Sequence, residues 1–508
     1  MDKEIKKEIA PLPSVDADEE QSSNIINEII PENDEKSNHI FKKMAKLLAK
    51  YPDKYPQNDI GASRLFYACY RKKVVYVLET KCWYIYNGEI WQKDEGNLKI
   101  MELIKEFVLN YVKIALNAGY DEEDKKESGI VKFANKLCSR SKRDAIIKDA
   151  SSIFPMSFSN FDSKTYLFNC KNGTFNLKTG ELQEHSPADY ITKIANVSYD
   201  KNATCERWVQ FVSEIMQNNK ENEVFLQKCF GYAMSGDTNL ECFFIFYGST
   251  TRNGKSTTCE TISYIFGDYA TNAQAKTVAK NNRDGSSATP DIARLKGARF
   301  VTMAEPEKGL EIDVSLIKQL TGGDRYTGRF LNENPIEFTP EFKIFINTNH
   351  LPRVNDDTIF SSERVKILPF ERHFNPEEQD TGLKQQFKME NMASGIFNWL
   401  IEGYNLLKTD GLDTPKAVID ATLAYREESD TMGMFLNEVT HEVIGAKVST
   451  KILYDEYKEW AKDNGYHALN VKNFIAEMRK RYTIVRSGKR GNEIHDVDII
   501  PKNLSWNF

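Results

Sequence analysis

The chain has 508 residues, 40% of them hydrophobic and 28% charged, with a formal net charge of −6 at pH 7. A length of this order calls for roughly three to four domains, and the composition is ordinary for globular proteins. No apolar run reaches the ~18 residues a membrane-spanning helix needs, and MDKEIKKEIAPLPS lacks the apolar core of a signal peptide, so a cytoplasmic protein with no membrane partner is expected. The eight cysteines include no C-x-x-C pair, which fits reduced intracellular thiols and no structural zinc.

The negative charge is concentrated at one end. Residues 1–35 hold eleven Asp or Glu against Lys3, Lys6 and Lys7, so the rest of the chain sums to about +2. This acidic stretch reads as a disordered tail, with Ile25-Ile26 and Ile29-Ile30 able to form a short docking helix. Residues 36–200 read as an α+β domain. HIFKKMAKLLAKY has helical periodicity, VVYVLETKCWYIYNGEIWQKD is a hairpin about Asn87-Gly88, and residues 100–118 and 122–150 read as helices. The last of these is basic (Lys132, Lys136, Arg140, Lys142, Arg143, Lys148). A second β-region comes next, TYLFNCKNGTFNLKTGELQEH. Its aromatic and basic residues read either as core with a solvated rim or as a base-stacking face. Residues 201–238 read as a collar of two or three amphipathic helices.

Residues 239–410 carry the chemistry. Phe243 to Tyr247 is a run of aromatic and aliphatic residues, the mark of a strand buried on both faces. A turn from Gly248 to Ser256 comes after it, and then a helix with Cys259, Ile262 and Ile265-Phe266 at helical spacing. Strand, glycine-bearing loop, GKS and helix make a phosphate-binding loop. Five residues rather than four separate Gly248 from Gly254. The ATP set is Gly248, Thr251, Arg252, Asn253, Gly254, Lys255, Ser256 and Thr257, with Lys255 reaching the β- and γ-phosphates and the Ser256 hydroxyl on Mg²⁺. GARFVTMAEPEKG reads as a second buried strand with Glu305 and Glu307 beyond its carboxyl end, where parallel sheets place their chemistry. Glu305 is a second candidate Mg²⁺ ligand. IDVSLIKQLTGGDRYTGRFLNENPIEFTP gives a helix, a Gly-Gly turn and a hairpin with its tip near Asn332 to Pro335. EFKIFINTNHLP is a third strand running into Asn349, and SSERVKILPF a fourth, preceded by Arg364.

Residues 411–431 read as a linker helix. Residues 432–508 read as three helices and a hairpin about Gly488–Gly491, a winged-helix pattern. Lys472, Arg479, Lys480, Arg481, Arg486, Lys489 and Arg490 fall on its third helix and wing. Such residues suit phosphate contacts on duplex DNA, or a protein partner.

Taken together, GSTTRNGKST, RFVTMAEPEKG, LIKQLTGGDRYTGR, FKIFINTNHLPRVNDDT and SERVKILPF resemble the superfamily III helicases of phage and plasmid primase-helicases, in the AAA+ class. LFNCKNGTFNLKTGEL and WYIYNGEIW resemble that family's preceding domain. Replication initiator-helicases of Gram-positive phages and mobile islands look most similar. The resemblance implies a multidomain α/β protein: an α+β N-terminal domain, an AAA+ parallel-sheet domain and a C-terminal winged helix. It implies Glu305 as the Walker B acid, Glu307 as its partner in activating water, Asn349 as sensor, and Arg364 as the finger on a neighbour's γ-phosphate, with Arg353 a lesser candidate. The family has two arginines where this chain has Glu363-Arg364. Lys318, Arg325 and Arg329 match its pore-facing DNA contacts, or pair with nearby acids. The implied assembly is a homohexameric ring using ATP and Mg²⁺ on single-stranded and origin duplex DNA, moving 3′ to 5′. No primase carboxylate pair occurs in residues 1–200, so a separate primase or polymerase is an expected partner. The rival readings are an ATP-switched origin-binding protein that does not unwind, and a packaging motor.

Overall fold

The computed structural model describes residues 35–119, 129–280, 289–304, 306, 309–331, 334–487 and 491–501. The chain divides into two compact units, residues 35–86 with 92–156, and residues 87–91 with 157–501. Among the described residues no helix is long and apolar enough to cross a membrane.

The first unit is mostly helical. Helices Glu35–Lys50, Asp59–Tyr70, Leu98–Gly119, Gly129–Leu137 and Arg140–Ile153 surround a core that includes Met44, Phe66, Ile104, Phe107 and Ile146. Asn58 starts the second helix by accepting the Gly61 N–H at 2.9 Å, an N-cap that satisfies one orphan donor. The strands β1 (Val74–Val77), β2 (Cys82–Tyr86), β3 (Trp91–Lys93) and β4 (Pro155–Met156) form a sheet in the order β3-β2-β1-β4. The basic stretch is two helices, broken at Cys138-Ser139.

The second unit opens with an antiparallel three-stranded sheet, β5 (Leu167–Cys170), β6 (Gly173–Asn176) and β7 (Glu181–Gln183). Residues 157–200 therefore belong to the second unit and not to the α+β domain expected over 36–200. The expected collar is two helices, Glu206–Ile215 and Lys220–Met234, the second packed on helix Glu390–Asp410.

The central sheet contains β8 (Phe243–Tyr247), β9 (Ala270–Ala273) and β10 (Phe300–Met303). A separate antiparallel hairpin, β11 (Tyr326–Gly328) with β12 (Ile336–Phe338), brackets the expected tip. The sheet is completed by β13 (Lys343–Thr348) and β14 (Val365–Pro369). Its order is β14-β8-β13-β10-β9, all parallel. Side chains alternate faces along β8. Phe244 and Phe246 enter one core, with Phe230, Phe300 and Phe345, while Phe243 and Ile245 enter the other, with Val301 and Ile344. Phe345 stacks on Phe244 at 4.9 Å between centroids. A strand clothed on both faces explains why its sequence is an unbroken apolar run. Helix Lys416–Ser429 packs on β14 and buries Tyr425, so the expected linker helix is part of this layer.

The lower rim of the sheet, at the amino ends of its strands, is held by a buried cation. Arg299 is 2% exposed and donates through Nη1 to the carbonyls of Thr165 and Met234, both at 2.7 Å, and through Nη2 to Leu167 at 3.3 Å. The Glu341 carboxylate lies 3.8 Å from its Nε. Removing one partner from a buried charged network leaves several groups unsatisfied, at about 3–5 kcal/mol. Arg299→Ala is expected to lower the unfolding free energy of this unit by that order, read as a fall in the denaturant midpoint, and an unchanged midpoint would show the clamp to be dispensable.

The C-terminal part runs helix Thr431–Val439, β15 (Thr440–Ser449), helices Thr450–Asp463 and Val471–Arg479, β16 (Ile484–Ser487) and β17 (Gly491–Ile499). Its sheet is antiparallel in the order β15-β17-β16 and packs on Phe435, Leu453, Tyr457, Trp460 and Phe474. The expected three helices and hairpin are present. A long strand, β15, intervenes where the sequence predicts one helix running through Val443.

Candidate functional site

The phosphate loop comes directly after β8, as its residue types require. Gly254 has φ +85°, a left-handed conformation that glycine adopts without strain, and it begins helix Lys255–Phe266. A Cβ at Gly254 would fall on Ile215 of the collar, with Phe211 behind it. A Cβ at Gly248 would fall on the Asn253 amide and the Phe370 carbonyl. Both positions thus need glycine for close packing, Gly254 against the collar helix and Gly248 against the loop's own Asn253 and Lys255. The helix buries Cys259, Ile262, Ile265 and Phe266, the periodic positions of the sequence. Burial pushes the Cys259 thiol up to about 12, so it is a packing group and not a nucleophile.

Lys255 is 5% exposed. Its ammonium donates to Asn349 Oδ1 at 2.7 Å and to the Gly248 carbonyl at 3.3 Å. Asn349 lies immediately beyond β13, which pairs with β8 in parallel, so the carboxyl ends of two adjacent strands deliver the two groups to one point. Ser256 is exposed and Thr257 half-buried in the first helical turn. The N–H groups of such a turn have no intrahelical partners, and the helix dipole adds positive potential there. The site can therefore hold a polyanion between a helix N-terminus and a buried ammonium.

Sequence reasoning missed the groups that brace the loop. Past the end of β14, Phe370 O accepts the Asn253 Nδ2 at 3.4 Å, and that amide also donates to Thr250 O at 2.8 Å. His373 Nδ1 is 2.9 Å from Thr251 O, so that nitrogen carries a proton, and the Phe374 N–H donates to Arg252 O at 3.0 Å. These bonds hold Arg252 at φ +58°, uncommon for a residue with a side chain. The reason is visible only in the strand order: β14 lies beside β8 in parallel, so its outgoing chain emerges next to the phosphate loop.

The remaining expected residues are dispersed. Glu305 and Glu307 are outside the described residues. Arg364 sits at the amino end of β14, whose five residues span about 15 Å at the usual strand rise, so it is not grouped with Lys255. Its guanidinium bonds the Glu241 carboxylate, the Glu241 carbonyl at 3.2 Å and the Thr321 hydroxyl at 3.0 Å. Arg353, exposed, stacks its guanidinium 5.4 Å from the Tyr466 ring centroid. Lys318 donates to the Thr358 hydroxyl, while Arg325 is exposed at the base of the β11–β12 hairpin and Arg329 is exposed just past β11, on the side of the tip. In the C-terminal part Lys472, Arg479 and Arg486 are exposed. Lys480 pairs with Glu477 at 2.7 Å. Arg481 pairs with Asp430, which caps helix Thr431–Val439. Burial would raise the Asp430 carboxyl, but Arg481 and the Gly433 N–H hold it below the usual carboxylate range. Lys489 and Arg490 are outside the described residues.

Comparison with known proteins finds three partial family matches. Residues 63–217 match a D5 N terminal like family, residues 246–364 a family of unknown function, and residues 427–483 a Poxvirus D5 protein-like family. The chain is 26% identical to "Putative helicase L207/L206" of Acanthamoeba polyphaga mimivirus, over 90% of this chain and 49% of that protein. It is 24% identical to "Putative helicase 121R" of Invertebrate iridescent virus 3, over 82% and 51%, and 24% identical to "Putative helicase V13" of Sputnik virophage, over 58% and 40%. The chain thus spans about half the length or less of these curated relatives. An apo structure of the NrS-1 C terminal region aligns with 84% of this chain and 96% of that one at 12% identity, with a TM-score of 0.44, a likeness too slight to carry an argument.

Proposed function

We propose that this chain is an ATP-hydrolysing DNA helicase of the superfamily III, AAA+ type, which melts and unwinds origin DNA as a homohexameric ring. The observation that carries the reading is the Lys255–Asn349 contact of 2.7 Å at the carboxyl ends of neighbouring parallel strands. A lysine on a phosphate loop held by an amide from the adjacent strand is what a nucleotide hydrolase needs. One group grips the terminal phosphates, and the other polarises water without adding negative charge. The helicase names of the viral relatives support the same class. Their viral sources support a virus-like replicon, while a Gram-positive host and a cytoplasmic location stay expectations of the sequence.

The chain's donors fit ATP with Mg²⁺. Gly248 and Gly254 let the loop pack tightly on itself and on the collar, Lys255 supplies the buried cation, and Ser256 presents a hydroxyl in the first turn. Bound Mg²⁺ would offset charge on the phosphate oxygens. Asn349 orients, and Glu305 with Glu307 are proposed to activate water. Arg364 cannot serve its own subunit's loop from the opposite rim of the sheet, so its proposed partner is the nucleotide of the next subunit. That requirement supports a ring. The β11–β12 hairpin, with Arg325 entering β11, Arg329 leaving it toward the tip and Lys318 on the preceding helix, is the proposed grip on single-stranded DNA. The helix–strand–helix–helix–hairpin order at the C-terminus supports the winged-helix reading, with Arg479 and Lys480 toward origin duplex. Arg481 is tied to Asp430 and is the weakest of that set. Priming is assigned to a separate primase or polymerase.

Strand displacement on a forked DNA with ATP tests the proposal. The expected result is ATP-dependent release of the labelled strand. Hydrolysis stimulated by DNA without any displacement would favour the ATP-switched origin-binding protein instead.

A further inference from the structure

The first unit carries a charge pattern that the nucleotide site does not use. Residues 35–86 with 92–156 hold 23 Lys and Arg against 15 Asp and Glu, in a chain whose net charge is −6. The excess is focused on helix Glu35–Lys50 and the turn after helix Asp59–Tyr70. Those two stretches contain Lys36, Lys42, Lys43, Lys46, Lys50, Arg71, Lys72 and Lys73 against Glu35 alone.

The geometry is a stripe. Ile40, Phe41, Met44, Leu47 and Leu48 face the core, which leaves Lys42, Lys46 and Lys50 exposed on one face at i, i+4, i+8. Four residues of helix rise about 6 Å, so three ammonium groups succeed one another along about 12 Å. Like charges at i, i+4 destabilise a helix, so pairing among these lysines does not account for the stripe. Lys43 extends it sideways. Its ammonium donates to the Cys69 carbonyl at 2.7 Å, beside Arg71 and Lys72, which are exposed. Burial, with the charges of Arg71 and Lys72 nearby, lowers the Lys43 pKa. Among the described residues, Lys42, Lys46, Lys50, Arg71 and Lys72 have no carboxylate partner. At the end of the stripe Tyr51 is 43% exposed, with the Lys50 ammonium 5.2 Å from its ring centroid.

We infer that this face is a binding surface for single-stranded nucleic acid, with Lys42, Lys46, Lys50, Arg71 and Lys72 on the phosphates and Tyr51 stacked on a base. A basic track ending in an exposed aromatic ring is the combination that holds a single strand without reading its sequence. The surface lies in the first unit and works without nucleotide, so it stands or falls independently of the phosphate-loop reading.

The test is equilibrium binding of fluorescent oligothymidine to the full chain without ATP, across a salt series. Each phosphate contact on a single strand contributes about 0.7 to the slope of log affinity against log salt. The K42E/K46E/K50E variant is expected to flatten that slope by about 2 and to weaken binding at least tenfold near 0.1 M salt. Tyr51→Ala is expected to lower affinity about tenfold with the slope unmoved, because stacking releases no counterions. K42Q/K46Q/K50Q, which removes the like-charge row instead of reversing it, should flatten the slope by the same amount and melt no lower than wild type, which separates lost binding from lost folding. K132E/K136E/K148E, the same charge change on other exposed lysines of this unit, should bind nearly as wild type. An equal loss in that control overturns the inference. So does an unchanged slope in the first triple, the result expected if the acidic residues 1–34 occupy the stripe. Tighter binding of a duplex, lost in the same triple, would overturn the single-strand assignment.

Discussion

Lys255→Ala is expected to lower ATP hydrolysis by about 10³-fold and to abolish strand displacement with it. The magnitude comes from removing a preorganised cation aimed at the phosphates in a site sheltered from water. Lys255 is buried and donates to Asn349 and the Gly248 carbonyl, so alanine also leaves two acceptors short of a donor, at about 1–3 kcal/mol. That is too little to unfold a unit with two aromatic-rich cores. The separation is therefore measurable: turnover and unwinding collapse while the melting temperature falls only slightly. Asn349→Ala, read beside it, should bind nucleotide and turn it over slowly, because the ammonium remains. If Lys255→Ala still unwinds forked DNA at a tenth of the normal rate, the phosphate loop is not the motor's site.

Arg364→Ala is the second large effect, about 10³-fold or more in hydrolysis with nucleotide affinity kept, as for arginine fingers generally. The structure supplies a rival explanation that must be separated from it. Arg364 bonds Glu241 and Thr321 within the chain, so its loss could act through stability. Glu241→Ala breaks that ion pair and leaves the guanidinium in place. Under the proposed role, Glu241→Ala keeps hydrolysis and Arg364→Ala does not. Mixing Arg364→Ala with wild-type subunits should depress activity more than in proportion, because each altered subunit disables its neighbour. Strictly proportional loss would remove the trans assignment.

The parts legible in the sequence were those that burial dictates. Phe243 to Tyr247 could be read because a strand covered on both faces must be apolar throughout, and GKS then set the next turn. The hairpin after the Gly-Gly turn was legible for the same kind of reason, since turn chemistry is local. β9 was not: Ala-Thr-Asn-Ala is an edge strand with one buried residue and no pattern to see. β15 was missed because THEVIGAKVS alternates poorly and abuts two helices, with Ile444 fully outside near a register shift. The grouping of residues 157–200 with the second unit, and the His373 brace on Thr251, are long-range facts. Sequence periodicity carries no information about them.

The strand order has a consequence for how the protein is made. β8 lies between β13 and β14, which are synthesised about 100 and 120 residues after it, some 5–25 s later at ordinary elongation rates. Until β13 arrives, Phe-Phe-Ile-Phe-Tyr has no hydrogen-bonding partner from this sheet on either side, and until β14 arrives it has one open edge. It is then a short, uncharged, β-prone segment of the kind that pairs with other chains. The nascent chain therefore passes through a period in which the strand leading into its phosphate loop is an aggregation hazard. Yield in a foreign host should depend on elongation speed and chaperone supply more than on the stability of the finished fold.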